Sequence, residues 1–334
     1  MKGNYFFKTA YGKLCLMLFF AFTVLISLRF GSAHMGLAEF FAALMRKQGA
    51  ETLTTILYSV RLPRTLGAAL SGIGLSVSGV LLQSVTNNSL ASPNIIGVNA
   101  GAGFAVILTM LLFPGAVYIR PLVAFLGAFV TTAVIVAVAS RVGTSRSVVI
   151  LAGIAVTTLL NAGISFISYF DNNLLSSYNS FSVGGVSGVN TQELKLPFVI
   201  IAFALMASLV ISKKADVLCL GDSIALSLGV NVKAVRTLCL VIASASAAAV
   251  VSFAGLLGFV GLVVPHMARK LVGTKLKDLL IVSAGLGGIL VTAADLMGRV
   301  ILAPSEIPVG IVMAFVGAPF LFYLLLRRKN NADF

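Results

Sequence analysis

The sequence LCLGDSIALSLGVNVKAVR at residues 218–236 is a polar interruption between two long apolar halves of the chain, and the other segments are organised around it. Gly221 breaks the preceding apolar run, and Asp222 can accept hydrogen bonds from the free amides of a helix that starts at Ser223. Gly229 stands where a residue in the left-handed conformation would end that helix after about two turns. The stretch therefore predicts a short helix between two membrane-spanning halves.

The surface of this short helix is compatible with a docking role. One face carries Ile224 and Leu228, and Ala225 keeps part of the surface thin enough for a second protein to approach. The alternative is a loop that only connects two spans. The pattern alone supports both interpretations equally.

The composition excludes a water-soluble protein. Hydrophobic residues make up 59% of the 334 residues and charged residues only 10%, with a mean hydropathy of +1.06. The 24 Lys and Arg residues outnumber the 10 Asp and Glu residues, but they lie in short loops between apolar runs and indicate membrane topology instead of nucleic-acid binding. The cysteines show neither metal-ligand nor paired spacing. We predict an all-α polytopic membrane protein without a redox or metal site.

The apolar runs predict about ten transmembrane helices, because a span requires ~20 apolar residues and shorter spans occur where neighbouring helices shield them. The predicted spans lie near residues 14–30, 60–83, 93–112, 117–140, 146–169, 194–212, 233–253, 258–271, 277–298 and 307–326. The first run could be a cleaved secretory signal, but the spans that follow favour an uncleaved anchor.

Two further segments are predicted to lie outside the membrane. Residues 34–58 mix charged and apolar side chains, which favours an amphipathic helix along the outer surface. Residues 171–190 are rich in Asn, Ser and Gly, which fits either a short outer helix with a turn or a plain connecting loop.

The distribution of basic residues predicts the orientation of the chain. In the ten-span arrangement, two thirds of the 24 Lys and Arg residues fall on the side of the N-terminus. Positively charged loops remain in the cytoplasm. We therefore expect both termini and residues 218–236 to be cytoplasmic.

The order of the segments indicates an internal duplication within a single transmembrane domain over residues 1–334. Residues 59–170 contain a span rich in small residues, a polar stretch, a short helix with a proline and two long spans. Residues 233–326 repeat that order, with Pro265 in the short helix. One span and residues 218–236 lie between the copies, so the two four-helix halves would run in opposite directions, as in the inverted repeats of transporters.

Charges near the span ends are the main functional signal, because the sequence shows no catalytic constellation and no phosphate-binding loop. A charge at mid-membrane costs about 2.5–3.5 kcal/mol on insertion scales, so it needs a partner, water or an interfacial position. Asp295 and Arg299 can pair along one helix face, either to neutralise a helix end or to serve transport. Arg61 and Arg64 share a face and repel each other, so we expect an acidic group nearby, from lipid or from a docking protein.

Two polar boundaries between spans are candidate gates. Residues 87–93 and 144–146 are polar and irregular. Non-helical backbone at membrane depth is tolerated only inside protein or beside a water-filled cavity. Ordinary loops are the alternative interpretation.

Taken in order, these motifs resemble the permease subunits of bacterial ABC importers for iron-siderophores, heme and cobalamin, from about Ser59 onward. The matching motifs are RLPR (61–64), SG (78–79) with Gln83, NSLASP (88–93), GV (97–98), TSR (144–146), LAG (151–153), GDSIALSLG (221–229), GFVGLVVPH (258–266), ADLMGR (294–299), EIPVG (306–310) and GAP (317–319). The resemblance implies a permease of the bacterial inner membrane that forms a dimer around a central path. It also implies two cytoplasmic ATPase subunits and an extracytoplasmic substrate-binding protein as partners, with no cofactor and no nucleic acid.

The resemblance further implies roles for individual residues, none of them catalytic or metal-binding, because a partner chain hydrolyses ATP. Docking of the binding protein would fall to Arg61, Arg64 and Arg299. Coupling to the ATPase would fall to Gly221, Asp222, Ser223, Ala225, Leu228 and Gly229. The translocation path or gate would include Asn88, Leu90, Pro93, Thr144 and Pro265.

The competing functional class is a secondary transporter driven by an ion gradient. Such a transporter requires a proton or cation site at mid-membrane, and Asp295 is the one plausible candidate in the sequence. A membrane receptor without transport activity is disfavoured, because the sequence has no sizeable soluble segment.

Overall fold

The computed structural model describes residues 6–32, 35–142 and 146–330, and within these residues it is helical without β-strands. The helices are α1 (Ala10–Arg29), α2 (Leu37–Leu44), α3 (Glu51–Thr55), α4 (Leu62–Thr86), α5 (Val98–Leu112), α6 (Arg120–Val142), α7 (Arg146–Phe170), α8 (Asn172–Val183), α9 (Thr191–Leu218), α10 (Asp222–Ser227), α11 (Val232–Ala254), α12 (Val260–Val272), α13 (Leu276–Val300) and α14 (Val309–Asn330). Short 3₁₀ turns lie at Phe6–Lys8, Pro93–Ile96 and Val117–Ile119, and Ile56–Arg61 forms a π-helical turn. The predicted all-α fold class is confirmed.

Every predicted span coincides with a helix, although not every one of these helices can cross a membrane alone. Within the described part of the chain, 7 helices are long and apolar enough to do so, and Val98–Leu112 and Val309–Leu324 are shorter apolar stretches. The helix α12 has 13 residues, a length of about 20 Å, against a hydrocarbon core of about 30 Å. The count of ten spans is therefore approximate.

Contacts of charged side chains show which helix ends lie on the same side of the bundle. Lys13 at the start of α1 lies 2.7 Å from Asp278 at the start of α13. The Asp216 carboxylate near the end of α9 accepts a hydrogen bond of 2.8 Å from the Leu276 amide. We call this side of the bundle the α10 end, because α10 follows α9 there. The opposite side, where α1 and α13 finish and α4 begins, is the arginine end.

Helix α4 is the centre of the bundle and packs against α13 and α11. A Cβ atom on Gly72 would lie 1.9 Å from the carbonyl oxygen of Gly287 on α13, and one on Gly79 would lie 1.9 Å from that of Gly261. The backbones therefore touch directly at both places. Lipid gives no hydrophobic drive for helices to associate, so this close packing is what holds α4 in place.

The segment predicted as one amphipathic helix over residues 34–58 is instead two short helices. Arg46 (φ 51) and Gly49 (φ 85) adopt left-handed conformations between α2 and α3, and this turn breaks the helix. Helix α3 then continues through the π-helical turn into α4, which gives an unbroken helical stretch of 36 residues. His34, where the predicted segment begins, lies outside the described residues.

The predicted short helix within residues 171–190 is confirmed as α8. The Asp171 carboxylate caps it by accepting hydrogen bonds from the amides of Asn173 (2.8 Å) and Leu174 (3.2 Å). Both amides lie in the first turn, where a helix has no internal acceptors for its N–H groups.

In the packing, the first helix of each predicted half contacts the third helix of the other half, as expected for an inverted repeat. Helix α4 packs against α13, the third helix of the second predicted half, and α11 packs against α6, the third helix of the first. Helices α4 and α11 also run in opposite directions. The duplication itself stays a prediction.

Candidate functional site

The three predicted docking arginines meet at the arginine end and are buried, with exposed fractions of 4% for Arg61, 7% for Arg64 and 2% for Arg299. Asp295 lies between two of them: its carboxylate oxygens are 3.0 Å from Arg64 Nε and 3.0 Å from Arg299 Nε. Arg64 Nη1 also lies 2.6 Å from Glu306 Oε2. The predicted pairing of Asp295 with Arg299 therefore forms as part of a larger ion network.

Arg61 and Arg299 hold the last turn of α1. Arg61 Nη1 donates to the carbonyl oxygens of Leu28 (3.0 Å) and Arg29. Arg299 donates to the carbonyl oxygen of Ser27 (3.2 Å) and to its hydroxyl oxygen (2.6 Å). The final carbonyl groups of a helix have no internal donors and carry partial negative charge, so two guanidinium groups satisfy and stabilise this helix end.

The acidic group expected near Arg61 and Arg64 comes from the chain itself. Glu306 lies 242 residues from Arg64 in the sequence and follows α13 in a non-helical segment, so local spacing could not reveal it. Its side chain is 29% exposed, whereas the side chain of Asp295 is 1% exposed. A cavity of ≈ 310 Å³ adjoins the two acids and Arg64.

The non-helical segment after α8 lies beside this cavity and bonds through its backbone to the end of α11 and the start of α14. The amide of Gly185 donates to the carbonyl oxygen of Ala254 (2.8 Å), and the amide of Gly310 donates to that of Gly184 (3.1 Å). Backbone groups at membrane depth must find partners inside the protein, and these bonds supply them. The sequence analysis missed this junction, although the paired glycines at 184–185 were a signal for it.

The predicted docking helix exists as α10 and ends where the sequence predicted, with Gly229 in a left-handed conformation (φ 76). Ser223 is exposed. The large apolar side chains of this segment also point outward, with exposed fractions of 49% for Ile224, 62% for Leu226 and 61% for Leu228. The segment therefore presents an apolar surface at the α10 end.

Two details predicted for α10 are wrong. Asp222 does not cap the helix, because Gly221 occupies the cap position and Asp222 Oδ1 instead lies 2.7 Å from Arg236 Nη2 on α11. The Arg236 side chain is only 3% exposed. A buried cation without a counter-charge costs more free energy than uncapped helix amides that can bond to water, so Asp222 pairs with Arg236. Ala225 is 0% exposed and packs inward, so it supports α10 from beneath and forms no part of its outer surface.

The predicted gate residues after α4 lie in a compact loop. Asn88 Oδ1 accepts a hydrogen bond of 2.9 Å from the Leu90 amide, a local turn typical of asparagine. The ring of Pro93 lies 3.0 Å from the position that a Cβ atom on Gly261 would take. The loop thus folds back against the start of α12, where Pro265 is buried one turn further along.

A row of polar side chains on one face of α7 was not predicted from the sequence. Thr158, Asn161 and Ser165 are exposed, and their spacing places them on one face of the helix near its middle. Only 17% of the residues in the most apolar stretch of α7 are buried. Polar side chains within a span face protein or water, so a search for such residues at helical spacing would have found this face. Thr144, the predicted gate residue before α7, lies outside the described residues.

Comparison with known proteins agrees with this architecture. The chain matches the FecCD transport family over residues 18–327. It is 37% identical over 273 residues to the Fe(3+)-citrate import system permease protein YfmE of Bacillus subtilis (strain 168), covering 81% of each chain. It is 37% identical over 297 residues to the cobalamin import system permease protein BtuC of Halobacterium salinarum, covering 87% of this chain and 79% of the relative. A solved structure described as an inward-facing conformation of a metal-chelate type ABC transporter superposes with a TM-score of 0.86 at 29% identity, covering 96% of this chain and 100% of the other.

Proposed function

The chain belongs to the FecCD transport family, and from this premise we propose that it is the permease subunit of an ATP-driven importer for iron-siderophore, heme or cobalamin-type substrates. Two permease subunits, identical or homologous, enclose a path that opens alternately to each side of a bacterial inner membrane. Two ATPase subunits bind the α10 end in the cytoplasm, where both termini lie, and a substrate-binding protein docks at the arginine end. The observation that carries this proposal is the family match over residues 18–327.

Coupling to the ATPase is assigned to α10 and the turns beside it. Leu226 and Leu228 are 62% and 61% exposed on a segment flanked by charged and polar residues, and partly apolar patches with polar rims are typical of protein interfaces. The pair between Asp222 and Arg236 ties α10 to α11. A push on α10 would therefore reach α11, which packs against α4 and α6.

The path is assigned to the exposed face of α7 and to the loop after α4. Asn161 and its polar neighbours on α7 are unfavourable in lipid, so a second permease subunit or a water-filled path beside them supplies what their side chains require. Asn88, Leu90 and Pro93 form the inner gate against the α12 residue Pro265, and Thr144 contributes a second constriction.

Docking of the binding protein is assigned to the arginine cluster. Arg61 and Arg299 fix the end of α1, so their part is to hold the docking surface in shape. Arg64 is the most exposed of the three arginines, at 7%, and it lines the cavity beside Glu306, so a partner's carboxylate would approach it there. The three arginines exceed the two acids of the cluster by one positive charge, which favours an acidic partner surface.

The alternative of an ion-driven transporter is not favoured by the geometry. Its one candidate site, Asp295, is held at 3.0 Å by each of two guanidinium groups. A carboxylate compensated in this way is a poor site for binding and releasing a proton or a cation.

Reconstitution tests the proposal directly. The permease is placed in proteoliposomes with an ATPase subunit and a binding protein from the same organism, and uptake of a radiolabelled ferric siderophore is followed. We expect uptake with ATP on the α10 side, and none with a non-hydrolysable analogue. Uptake that continues without ATP but stops when ion gradients are dissipated would contradict the proposal.

The coupling role of α10 can be tested separately. Leu226→Glu should abolish co-purification of the ATPase, because a charge replaces an exposed apolar contact. Leu37→Glu, at a leucine that is 54% exposed at the arginine end, is the matched control and should leave co-purification intact. Equal effects of the two substitutions would remove α10 from the ATPase interface. Ala225 is unsuitable for this test, because it is fully buried and its replacement would disturb packing.

A further inference from the structure

A cavity of ≈ 600 Å³ lies at the α10 end, beside the loop after α4. It lies between the ends of α4, α9 and α12 and the start of α13. Its polar lining comprises Asn87, Ser89, Asp216, Arg269, Thr274 and Lys275, in addition to Gln83 and Ser84.

The two cations of this lining make no direct ion pair, although Asp216 lies close enough to Lys275 to interact with its charge. Within residues 6–32, 35–142 and 146–330, neither Arg269 nor Lys275 forms an ion pair or a side-chain hydrogen bond. Asp216 is the acidic residue of the lining, and its carboxylate accepts the Leu276 amide at 2.8 Å. That amide belongs to the first turn of α13, whose positive end offsets the charge of Asp216. With two cations and one carboxylate in its lining, the cavity thus carries a net positive charge, and Arg269 makes no ion pair within the described residues.

A buried amide oxygen gives independent support for an occupant. Gln83 is 2% exposed and its Nε2 donates to the carbonyl oxygen of Gly261 at 3.2 Å. Among the residues that the structure describes, its Oε1 finds no hydrogen-bond partner. A buried acceptor without a donor is unfavourable, so a ligand with a hydroxyl group, or its bound water, would supply the missing hydrogen bond.

We propose that this cavity binds a phosphate group, carried either by an anionic phospholipid or free in solution. Arg269 offers a planar fork of donors that matches phosphate oxygens, and Lys275 adds a point charge. Basic pockets between membrane helices are known to bind anionic lipid headgroups. The same cavity is lined by Val217, Leu220 and Leu279, which suits the glycerol and first methylene groups of a lipid.

Native mass spectrometry of the full chain in detergent tests the site. Phosphatidylglycerol and inorganic phosphate are titrated separately, with phosphatidylcholine as the lipid reference. Arg269→Gln and Lys275→Gln should each weaken binding of the phosphate-bearing ligand about tenfold. Lys277→Gln removes another exposed charge, two residues from Lys275 but outside the cavity lining, and it should leave binding unchanged. Equal loss in all three variants, or no loss in the first two, overturns the proposal.

A second measurement leaves the two cations in place. Cys219 lines the cavity, Cys15 is exposed and Cys239 is buried, so a Cys15→Ser chain reports maleimide modification at Cys219. Phosphatidylglycerol should slow this modification about tenfold if the source is lipid, and inorganic phosphate should do so if the source is soluble. If neither slows it, or if only an added ATPase subunit does, the cavity does not bind phosphate and the proposal is wrong. Transport activity is not measured in either experiment, so failure here leaves the proposed import function untouched.

Discussion

The ion network at the arginine end makes a quantitative prediction. Asp295→Asn removes the charge that compensates Arg64 and Arg299, each at 3.0 Å, while keeping the shape of the side chain. Loss of one partner from a buried ion pair costs about 3–5 kcal/mol, because a buried charge is left behind. Arg64 keeps Glu306 at 2.6 Å and Arg299 keeps the Ser27 hydroxyl at 2.6 Å. We therefore expect a loss near the lower limit, about 3 kcal/mol.

Thermal stability in detergent measures this loss. With about 2 °C per kcal/mol for a chain of this size, the temperature at which half the protein stays monodisperse on size-exclusion chromatography should fall by about 6 °C. Asp278→Asn is the control, because it breaks the ion pair between Asp278 and Lys13. The side chain of Lys13 is 28% exposed and that of Asp278 is 15% exposed. Pairs near a surface contribute about 0–1 kcal/mol, so this variant should shift by about 2 °C or less.

A double variant checks the physical reason for the loss. Asp295→Asn combined with Arg299→Gln removes both charges, so its cost should fall short of the sum of the single variants by about 1–3 kcal/mol. Additive costs, or a melting temperature for Asp295→Asn equal to that of the parent, would refute the idea that a buried network holds these helices.

Two further predictions concern packing and orientation. Gly72→Ala should destabilise the protein by about 1–3 kcal/mol, because its Cβ would lie 1.9 Å from the Gly287 carbonyl oxygen. The control Gly115→Ala meets open space and should be neutral. Equal melting temperatures of the two variants would contradict the packing of α4 on α13. In the variant Ser223→Cys, the new thiol should react with a membrane-impermeant maleimide only after the cells are opened. In Tyr118→Cys, at a tyrosine that is 95% exposed at the arginine end, the thiol should react in intact cells. The reverse pattern would contradict the proposed orientation.

The positions of the helices could be predicted because a membrane span has a length that the bilayer fixes. Apolar runs and their flanking charges therefore located each helix within a few residues. The break at Arg46 and Gly49 could not be read in the same way, since amphipathic spacing continues across the turn. Gly258, Gly261 and Pro265 did mark the eighth span as interrupted, but the start of α12 could not be read from them, because apolar residues continue into the non-helical segment before it.

The candidate sites were predictable where partners lie on one helix. Asp295 and Arg299 are four residues apart, a spacing that brings side chains together on any helix. The contact between Arg64 and Glu306 joins α4 to the non-helical segment after α13, 242 residues away in the chain, and only packing determines it. The polar face of α7 falls between these cases: its spacing was visible, but its exposure depends on which other helices leave that face uncovered.

The pair between Asp222 and Arg236 changes how motion at α10 would be transmitted. A capping aspartate would stabilise α10 alone and leave it joined to the bundle only by its turns. An ion pair to a side chain that is 3% exposed makes α10 move with α11, because separating them would leave a buried cation without its partner. Helix α11 has 23 residues and is about 35 Å long, so it crosses the bundle as one rigid element. Its Ser246 hydroxyl donates to the Gly74 carbonyl oxygen on α4 at 2.9 Å, and α4 carries Arg64 at the far end. A tilt of α11 would therefore act on the helix that bears Arg64, so α11 and α4 are the elements through which the two ends of the bundle would be coupled.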